Sequence, residues 1–258
     1  MRYTYLKGKP IETLYFGGGT PSQLDEKDFR KVFDTVRRIY GMENCHEITL
    51  EANPDDLCPE YLQMLSELPF NRISMGIQTF DDTTLKLLKR RHNAAQAIRA
   101  VELCRAHGFR NISIDLIYGL PGETTERWEK DLQQAIALDV EHISAYHLIY
   151  EEGTPIYKML QKHQVEEVDE DSSVRFFTLL IDRLREAGYE HYEISNFCKP
   201  GMYSRHNTSY WQGVSYLGCG PSAHSFDGQT REWNCSSIEN TCPALKADNG
   251  TSNGKSGI

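Results

Sequence analysis

Three polar side chains lie at or just past the ends of apolar segments: Glu51, Gln78 and Asp115. In α/β folds with parallel strands, the carboxyl ends of the strands meet at one edge, and ligands bind there. Two carboxylates and an amide at such an edge can bind an amine and a ribose diol through hydrogen bonds. Arg90 adds a cation for a ligand carboxylate. Each residue alone is more often a helix cap or a surface residue, so the prediction of a shared site rests on their combination.

A glycine-rich loop, Gly17-Gly18-Gly19-Thr20-Pro21, follows the first apolar segment. Three consecutive glycines allow the backbone to approach a ligand closely, and its amides and carbonyls can bind a charged or zwitterionic group. A tight turn between a strand and a helix explains the same glycines, so both interpretations stay open. The loop is neither a Walker loop, since no Gly-Lys-Ser/Thr follows, nor a G-x-G-x-x-G dinucleotide motif.

Aromatic residues and two histidines are concentrated between residues 192 and 226. Aromatic rings can line a slot for a large flat ligand, and His206 or His224 can ligate iron. A histidine among aromatic residues is more often a hydrogen-bonded packing residue. The sequence has no C-x-x-C-H motif, which excludes a covalently attached c-type haem.

The seven cysteines are scattered, and no two form a C-x-x-C or C-x-x-x-C pair, so they predict no metal site. An odd number of cysteines, without a secretory signal in the sequence, predicts reduced thiols and a cytoplasmic protein. The net charge of −9 argues against nucleic acid as a partner. No apolar run is long enough to span a membrane.

The elements that must position these residues alternate along the first 155 residues. Apolar, β-branched segments predict five strands, and stretches with helical periodicity separate them. This order is typical of parallel βαβ units in an α/β fold, either an open sheet or a partial barrel. Beyond Pro155 the alternation stops. The strands are predicted at residues 13–16, 47–51, 72–77, 111–117 and 142–149.

The same change of pattern predicts three parts of the chain. Residues 1–155 form the strand-and-helix domain, and residues 156–226 form a C-terminal extension that begins with a long helix. Residues 227–258 are poor in apolar side chains and rich in Asn, Ser, Gly and Lys, so we predict a disordered tail.

Six strings, in this order, resemble the radical S-adenosylmethionine (SAM) family of oxygen-independent coproporphyrinogen III oxidases and the related radical-SAM haem chaperones. The resemblance covers about residues 11–226 and implies a partial (β/α)6 barrel with a C-terminal α+β extension. The five predicted strands would then be strands two to six, with the first strand missing. The strings are YFGGGTPS (15–22), LEANP (50–54), NRISMGIQTF (71–80), IDLIYGLPGET (114–124), YEISNF (192–197) and SRHNTSYW (204–211).

The resemblance also implies roles for individual residues in binding SAM and a tetrapyrrole. The glycine loop would hold the amino group of SAM, the polar residues at the strand ends its amino acid and ribose parts, and the end of the fifth strand its adenine. Apart from the resemblance, we predict that His206, of the two histidines among the aromatic residues, contacts the haem. The residues for the amino group are Gly18, Gly19 and Thr20. Those for the amino acid and ribose parts are Glu51, Gln78, Arg90 and Asp115, and those near the adenine are Leu148 and Ile149.

The family's C-x-x-x-C-x-x-C motif, which binds a [4Fe–4S] cluster, does not occur in this sequence. In the family, reduction of the cluster cleaves SAM to a 5′-deoxyadenosyl radical. We therefore expect the chain to be an N-terminally truncated form whose cluster ligands belong to a preceding segment.

The SRHNTSYW string and the short chain between Arg90 and His92 are more similar to the haem chaperones than to the oxidases. The leading hypothesis is a haem chaperone that binds haem, SAM and a [4Fe–4S] cluster and passes haem to an acceptor protein. One alternative is oxidative decarboxylation of coproporphyrinogen III, and another is an inactive fragment. The sequence gives neither the acceptor nor the oligomeric state.

Overall fold

The computed structural model describes residues 5, 6 and 8–237, and the backbone of residues 255–257. The chain forms two compact units, each assembled from separate segments. The first unit comprises residues 1–18, 27–47 and 205–258, and the second comprises residues 19–26 and 48–204. The predicted boundaries near residues 155 and 226 stay predictions. Most of the predicted tail, residues 238–254 and 258, lies outside the described residues.

The helices and strands follow the predicted alternation and continue beyond it. The five predicted strands are present, although the fifth ends at His147 and not at Ile149. In chain order the elements are β1 (Thr13–Phe16), α1 (Glu26–Tyr40), β2 (Glu47–Ala52), α2 (Pro59–Ser66), β3 (Arg72–Gln78), α3 (Asp82–Leu87), α4 (Ala94–Ala106), β4 (Ile112–Tyr118), α5 (Thr125–Ala137), β5 (His142–His147), α6 (Pro155–Gln161), α7 (Glu170–Glu186), β6 (Glu190–Glu193), β7 (Asn196–Cys198), α8 (Arg205–Trp211), β8 (His224–Phe226), β9 (Thr230–Trp233) and β10 (Lys255–Gly257).

The sheet of the second unit has the strand order β2-β3-β4-β5-β7-β6. Strands β2 to β5 are parallel to their neighbours, as predicted, whereas β7 is antiparallel to both β5 and β6. Strands β6 and β7 were not predicted, because EHYE and NFC do not form an apolar run such as the TLYF of β1. The confirmed parallel strands bring the polar residues at their carboxyl ends to one edge of the sheet.

The parallel strands have one apolar face and one polar face. The apolar face supplies core residues such as Leu50, Met75 and Ile114, which are fully buried. Parallel strands are usually apolar on both faces, because helices cover both. A polar second face therefore indicates that this side of the sheet faces a ligand cavity. On this face lie Thr49, Glu51, Arg72, Ser74, Gly76, Ser113, Asp115, His142, Ser144 and Tyr146.

The first unit has its own aromatic contacts and a capped helix. Phe16 packs against Phe29 and Phe33, with ring centroids 5.6 and 5.4 Å apart. The carboxylate of Glu47 accepts hydrogen bonds from the backbone amides of Arg205 and His206, at 2.8 and 3.0 Å. These are amides at the start of α8, where a negative charge stabilises a helix. Strands β8, β9 and β10 form a small antiparallel sheet.

Among the described residues, no helix combines the length and the hydrophobicity that crossing a lipid bilayer requires.

Asp131 on α5 fixes the chain directly after β3. Its carboxylate accepts hydrogen bonds from the Thr79 hydroxyl at 2.6 Å and the Phe80 amide at 3.0 Å, and the residue is buried. The substitution Asp131→Ala leaves both donors without this acceptor. We expect the free energy of unfolding to fall by about 3 kcal/mol, measured by urea denaturation. Asp34→Ala, at an exposed position on α1, is the matched control and should change it by less than about 1 kcal/mol. Equal effects of the two substitutions would contradict this role.

Candidate functional site

A cavity of about 220 Å³ opens at the carboxyl ends of β2, β3 and β4 in the second unit. Its walls come from the polar face of the sheet, the end of the glycine loop and the segment between α3 and α4. Six residues predicted from the sequence line it: Gly19, Thr20, Glu51, Gln78, Arg90 and Asp115. The structure therefore brings most of the predicted SAM residues together in one place.

The strand register places the carboxylates of Glu51 and Asp115 on the polar face of the sheet, on the two strands that flank β3. Glu51 lies beside Ser74, and Asp115 lies beside Gly76 on the strand between them. A bulge follows, so that Gln78 pairs with the residue after Asp115. Gln78 has a φ of 74°, a left-handed conformation that is rare for residues other than glycine. Such local strain is typical of binding sites, where the surrounding structure stabilises it.

Gly76 leaves room for the side chain of Gln78. A Cβ atom at this position would lie 2.9 Å from Nε2 of Gln78 and 3.4 Å from Nη2 of Arg90. The first distance is too short for a real contact, so a larger residue would shift the Gln78 amide, whereas the second is an ordinary contact.

Arg90 is held in place by two hydrogen bonds from the same nitrogen. Its Nη2 donates to Oδ1 of Asn53 at 2.7 Å and to the carbonyl of Gly76 at 2.8 Å. Both acceptors also line the cavity. The guanidinium therefore has a fixed orientation before any ligand binds, which reduces the entropy lost on binding.

Asp115 is a carboxylate of the cavity whose pKa is raised above its ordinary value. Burial raises its pKa to about 6; Arg72 opposes the rise and Glu51 adds to it. Hydrogen bonds from the hydroxyls of Ser144 and Ser74 also lower the pKa, because they stabilise the charged form. The carboxylate is ionised at neutral pH and becomes neutral in mildly acidic solution.

Asp56 connects three segments that surround the cavity, although the sequence analysis did not identify it. Its carboxylate accepts hydrogen bonds from Oγ of Ser22 at 2.6 Å, from Nε2 of Gln23 at 2.8 Å and from Nη2 of Arg91 at 2.9 Å. Ser22 lines the cavity, and Arg91 follows the cavity residue Arg90. No sequence motif marks this role, because the partners are 33 to 35 residues away along the chain.

Four predicted residues are not part of the cavity lining: Gly18, Leu148, Ile149 and His206. Gly18 belongs to the first unit, and Ile149 lies two residues beyond β5 with 78% of its surface exposed. His206 lies on α8 in the first unit, where its ring stacks on Tyr15 with centroids 4.5 Å apart. Its Nδ1 is 3.1 Å from the Thr13 hydroxyl and its Nε2 is 3.1 Å from the Tyr210 hydroxyl. The roles predicted for these residues stay predictions.

The residues that the structure describes do not fit an iron–sulfur cluster. They contain no group of three or more His, Cys, Asp or Glu side chains that could hold a metal ion. Burial raises the pKa of both the Cys104 and the Cys198 thiol to about 12, so these cysteines are protonated at neutral pH. A cluster requires thiolates, which these two cysteines do not supply.

Removal of the Asp56 carboxylate should loosen the glycine loop. In Asp56→Ala, Ser22 and Gln23 lose their acceptor, and we expect their backbone amides to exchange with deuterium about tenfold faster, since each lost bond contributes about 1 kcal/mol. Hydrogen–deuterium exchange mass spectrometry of the peptide containing residues 19–24 measures this. Asp34→Ala should leave that peptide unchanged. An unchanged exchange rate in Asp56→Ala would show that the loop is held by other contacts.

Solved structures with similar folds include a radical-SAM enzyme and an archaeal protein. Coproporphyrinogen III oxidase (HemN) from Escherichia coli superposes with a TM-score of 0.80 and 22% identity, over 97% of this chain and 60% of that chain. The archaeal Elp3 of Methanocaldococcus infernus superposes with a TM-score of 0.58 and 20% identity, over 72% of this chain and 47% of that chain. These likenesses confirm the predicted α/β partial-barrel fold.

Sequence comparison identifies the family. The curated relatives include the haem chaperone HemW of Bacillus subtilis, 38% identical over 90% of this chain and 62% of that protein. HemW of Mycobacterium tuberculosis is 35% identical over 89% of this chain and 59% of that protein. The chain thus spans about three-fifths of the length of these relatives. The sequence profile of the Radical SAM superfamily matches residues 2–135, just over half of the chain. The chain therefore belongs to the radical SAM superfamily.

Proposed function

We propose that the cavity binds SAM and that the chain is part of a haem chaperone. The observation that carries the first half is the charge balance of the cavity. The carboxylates of Glu51 and Asp115 and the guanidinium of Arg90 give a net charge of −1. SAM has an ammonium, a sulfonium and a carboxylate, so its net charge is +1. A ligand and a cavity with such complementary charges attract each other and select a defined orientation.

Each cavity residue has a role in this proposal that follows from its chemistry. Arg90, oriented by Asn53 and Gly76, pairs with the carboxylate of SAM. Glu51 and Asp115 accept hydrogen bonds from the ammonium group and the ribose hydroxyls. The Gln78 amide supplies one further donor and acceptor. These residues bind and orient the ligand, and SAM supplies the radical chemistry of the family when it is bound beside a reduced cluster.

The haem half of the proposal is supported by the curated relatives and by the surroundings of His206. The relatives are named haem chaperones. In this chain His206 lies within a row of aromatic rings, between Tyr15 and Tyr210. We propose that this face of α8 contacts the tetrapyrrole, that haem passes to an acceptor protein, and that the protein works in the cytoplasm. The likeness to the oxidase concerns the fold alone, so we prefer the chaperone.

The SAM site can be tested by removing the cation that pairs with the ligand carboxylate. We expect Arg90→Met to weaken SAM binding about 10- to 100-fold, since a hydrogen bond between charged groups contributes about 1.5–3 kcal/mol. Isothermal titration calorimetry of the purified chain with SAM measures the dissociation constant. Arg99→Met, at an exposed position on α4, is the matched control and should bind as the unmodified chain does. Equal affinities of the two variants would contradict the assignment of this cavity.

The haem site can be tested by absorbance titration with haem. His206→Ala should lose the shift of the Soret band that accompanies ligation by imidazole, because it removes the proposed contact. His163→Asn, which removes an exposed histidine outside residues 192–226, is the matched control and should keep the spectrum of the unmodified chain. A wild-type spectrum in His206→Ala would exclude this histidine.

A further inference from the structure

We propose that His92 is a positioning residue of the SAM site: its imidazole holds the carbonyl of Ile77 and so fixes the strained backbone from which Gln78 reaches the cavity. The inference rests on the proposed binding of SAM in this cavity. His92 lies between α3 and α4, two residues after Arg90, and is not one of the lining residues. It acts through the backbone of β3, not by contact with SAM.

The end of β3 contains one residue more than the strand beside it. Gly76 pairs with Asp115 of β4 and Gln78 pairs with Leu116, so Ile77 is the extra residue of a bulge. The extra residue of a bulge is left out of the regular pairing, and bulges often redirect side chains beside binding sites. Regular strand pairing alone therefore does not fix the backbone at Ile77.

His92 supplies the missing support through a hydrogen bond. Its Nε2 lies 3.1 Å from the carbonyl oxygen of Ile77, and its side chain is fully buried. A carbonyl oxygen can only accept, so Nε2 carries the proton and donates the bond. The bonded carbonyl belongs to the peptide plane that joins Ile77 to Gln78, and the φ of 74° at Gln78 is the rotation away from that plane. The bond therefore holds the peptide from which the left-handed conformation of Gln78 starts.

Gln78 is supported on both sides along the chain. Before it, two successive carbonyls of β3 accept hydrogen bonds from Arg90 and His92. After it, Asp131 accepts hydrogen bonds from the next two residues. A strained residue keeps one conformation only when several contacts of this kind surround it. Arg90 and His92 grip the same bulge, so the orientation of the cavity cation is linked to that of the cavity amide.

The second nitrogen of His92 makes no comparable contact. Nδ1 is buried 3.9 Å from Oδ1 of Asp55, and neither atom has a hydrogen-bond partner among the described residues. Burial lowers the pKa of His92, although the carbonyl of Ile77 opposes this, so the ring is neutral at neutral pH. A neutral ring with its proton on Nε2 has only a lone pair at Nδ1, and a carboxylate oxygen also only accepts. The bond to Ile77 is therefore the contact that a histidine is needed for.

Two amide substitutions separate the roles of the two ring nitrogens. The side-chain amide of Gln reaches about as far as Nε2, whereas that of Asn reaches only about as far as Nδ1. His92→Asn should weaken SAM binding about tenfold, and His92→Gln should stay within about threefold of the unmodified chain, by isothermal titration calorimetry. His163→Asn, at an exposed position, is the matched control and should bind as the unmodified chain does. Equal losses in the Asn and Gln variants of His92 would mean that the ring acts only by packing, and the proposal fails.

A double-substitution cycle tests whether His92 acts through Gln78. In a chain that already contains Gln78→Ala, His92→Asn should cause little further loss of SAM affinity, because the amide that it positions is gone. Full additivity of the two losses would contradict this route.

Two further readouts do not depend on the ligand. Deuterium exchange of a peptide containing residues 76–80 should be about tenfold faster in His92→Asn than in His92→Gln. In the unmodified chain, ¹⁵N NMR of the imidazole, with His92→Gln to assign the signal, should find the proton on Nε2. A proton on Nδ1 would overturn the proposal even where the Asn variant does not fold. Absence of SAM binding to the unmodified chain would overturn the proposed function, whereas the exchange and NMR results would still decide whether His92 holds the bulge.

Discussion

The position of the Asp115 carboxylate on the polar face of the sheet, beside Gly76, is the constraint on which the candidate site depends. A carboxylate in this position has lost most of its water and lies near a second carboxylate, Glu51, so both effects favour its neutral form. Two hydroxyl donors and the charge of Arg72 act against them. Arg90 is also held in a fixed orientation, because its Nη2 donates to the side-chain amide oxygen of Asn53 and to the backbone carbonyl of Gly76.

The need to hold charged and polar groups around the cavity explains why the parallel strands have one polar face. Helices cover the apolar face, where residues such as Ile73 and Ile114 are fully buried. The other face contains hydroxyls, an imidazole and charged groups, and most of these bond to each other across neighbouring strands. The cost of burying them is offset only in part, as the unpaired Nε of Arg72 shows. Stability is thus partly given up to keep charges in place around the cavity.

Much of this arrangement could be predicted from the sequence. The five strands were predicted from their apolar segments. Glu51, Gln78 and Asp115 were predicted to meet because strand ends in parallel folds converge, and they line one cavity. The role of Asp56 was missed, since it depends on partners that are distant along the chain. One available pattern was overlooked: polar residues alternate with apolar ones in β2 to β5, which is unusual for parallel strands. The short strands β6 and β7 and the exposed position of Ile149 depend on tertiary packing, which no local pattern records.

The alternation of the two faces also has a consequence for how such a protein can change over evolutionary time. Adjacent residues of one strand are subject to different selection: one maintains the packing of the helices, and the next determines which ligand is accepted. A substitution at Ser74 alters the lining of the cavity without changing the apolar face of the sheet. A lineage can therefore acquire a new ligand preference through single changes while the fold remains the same.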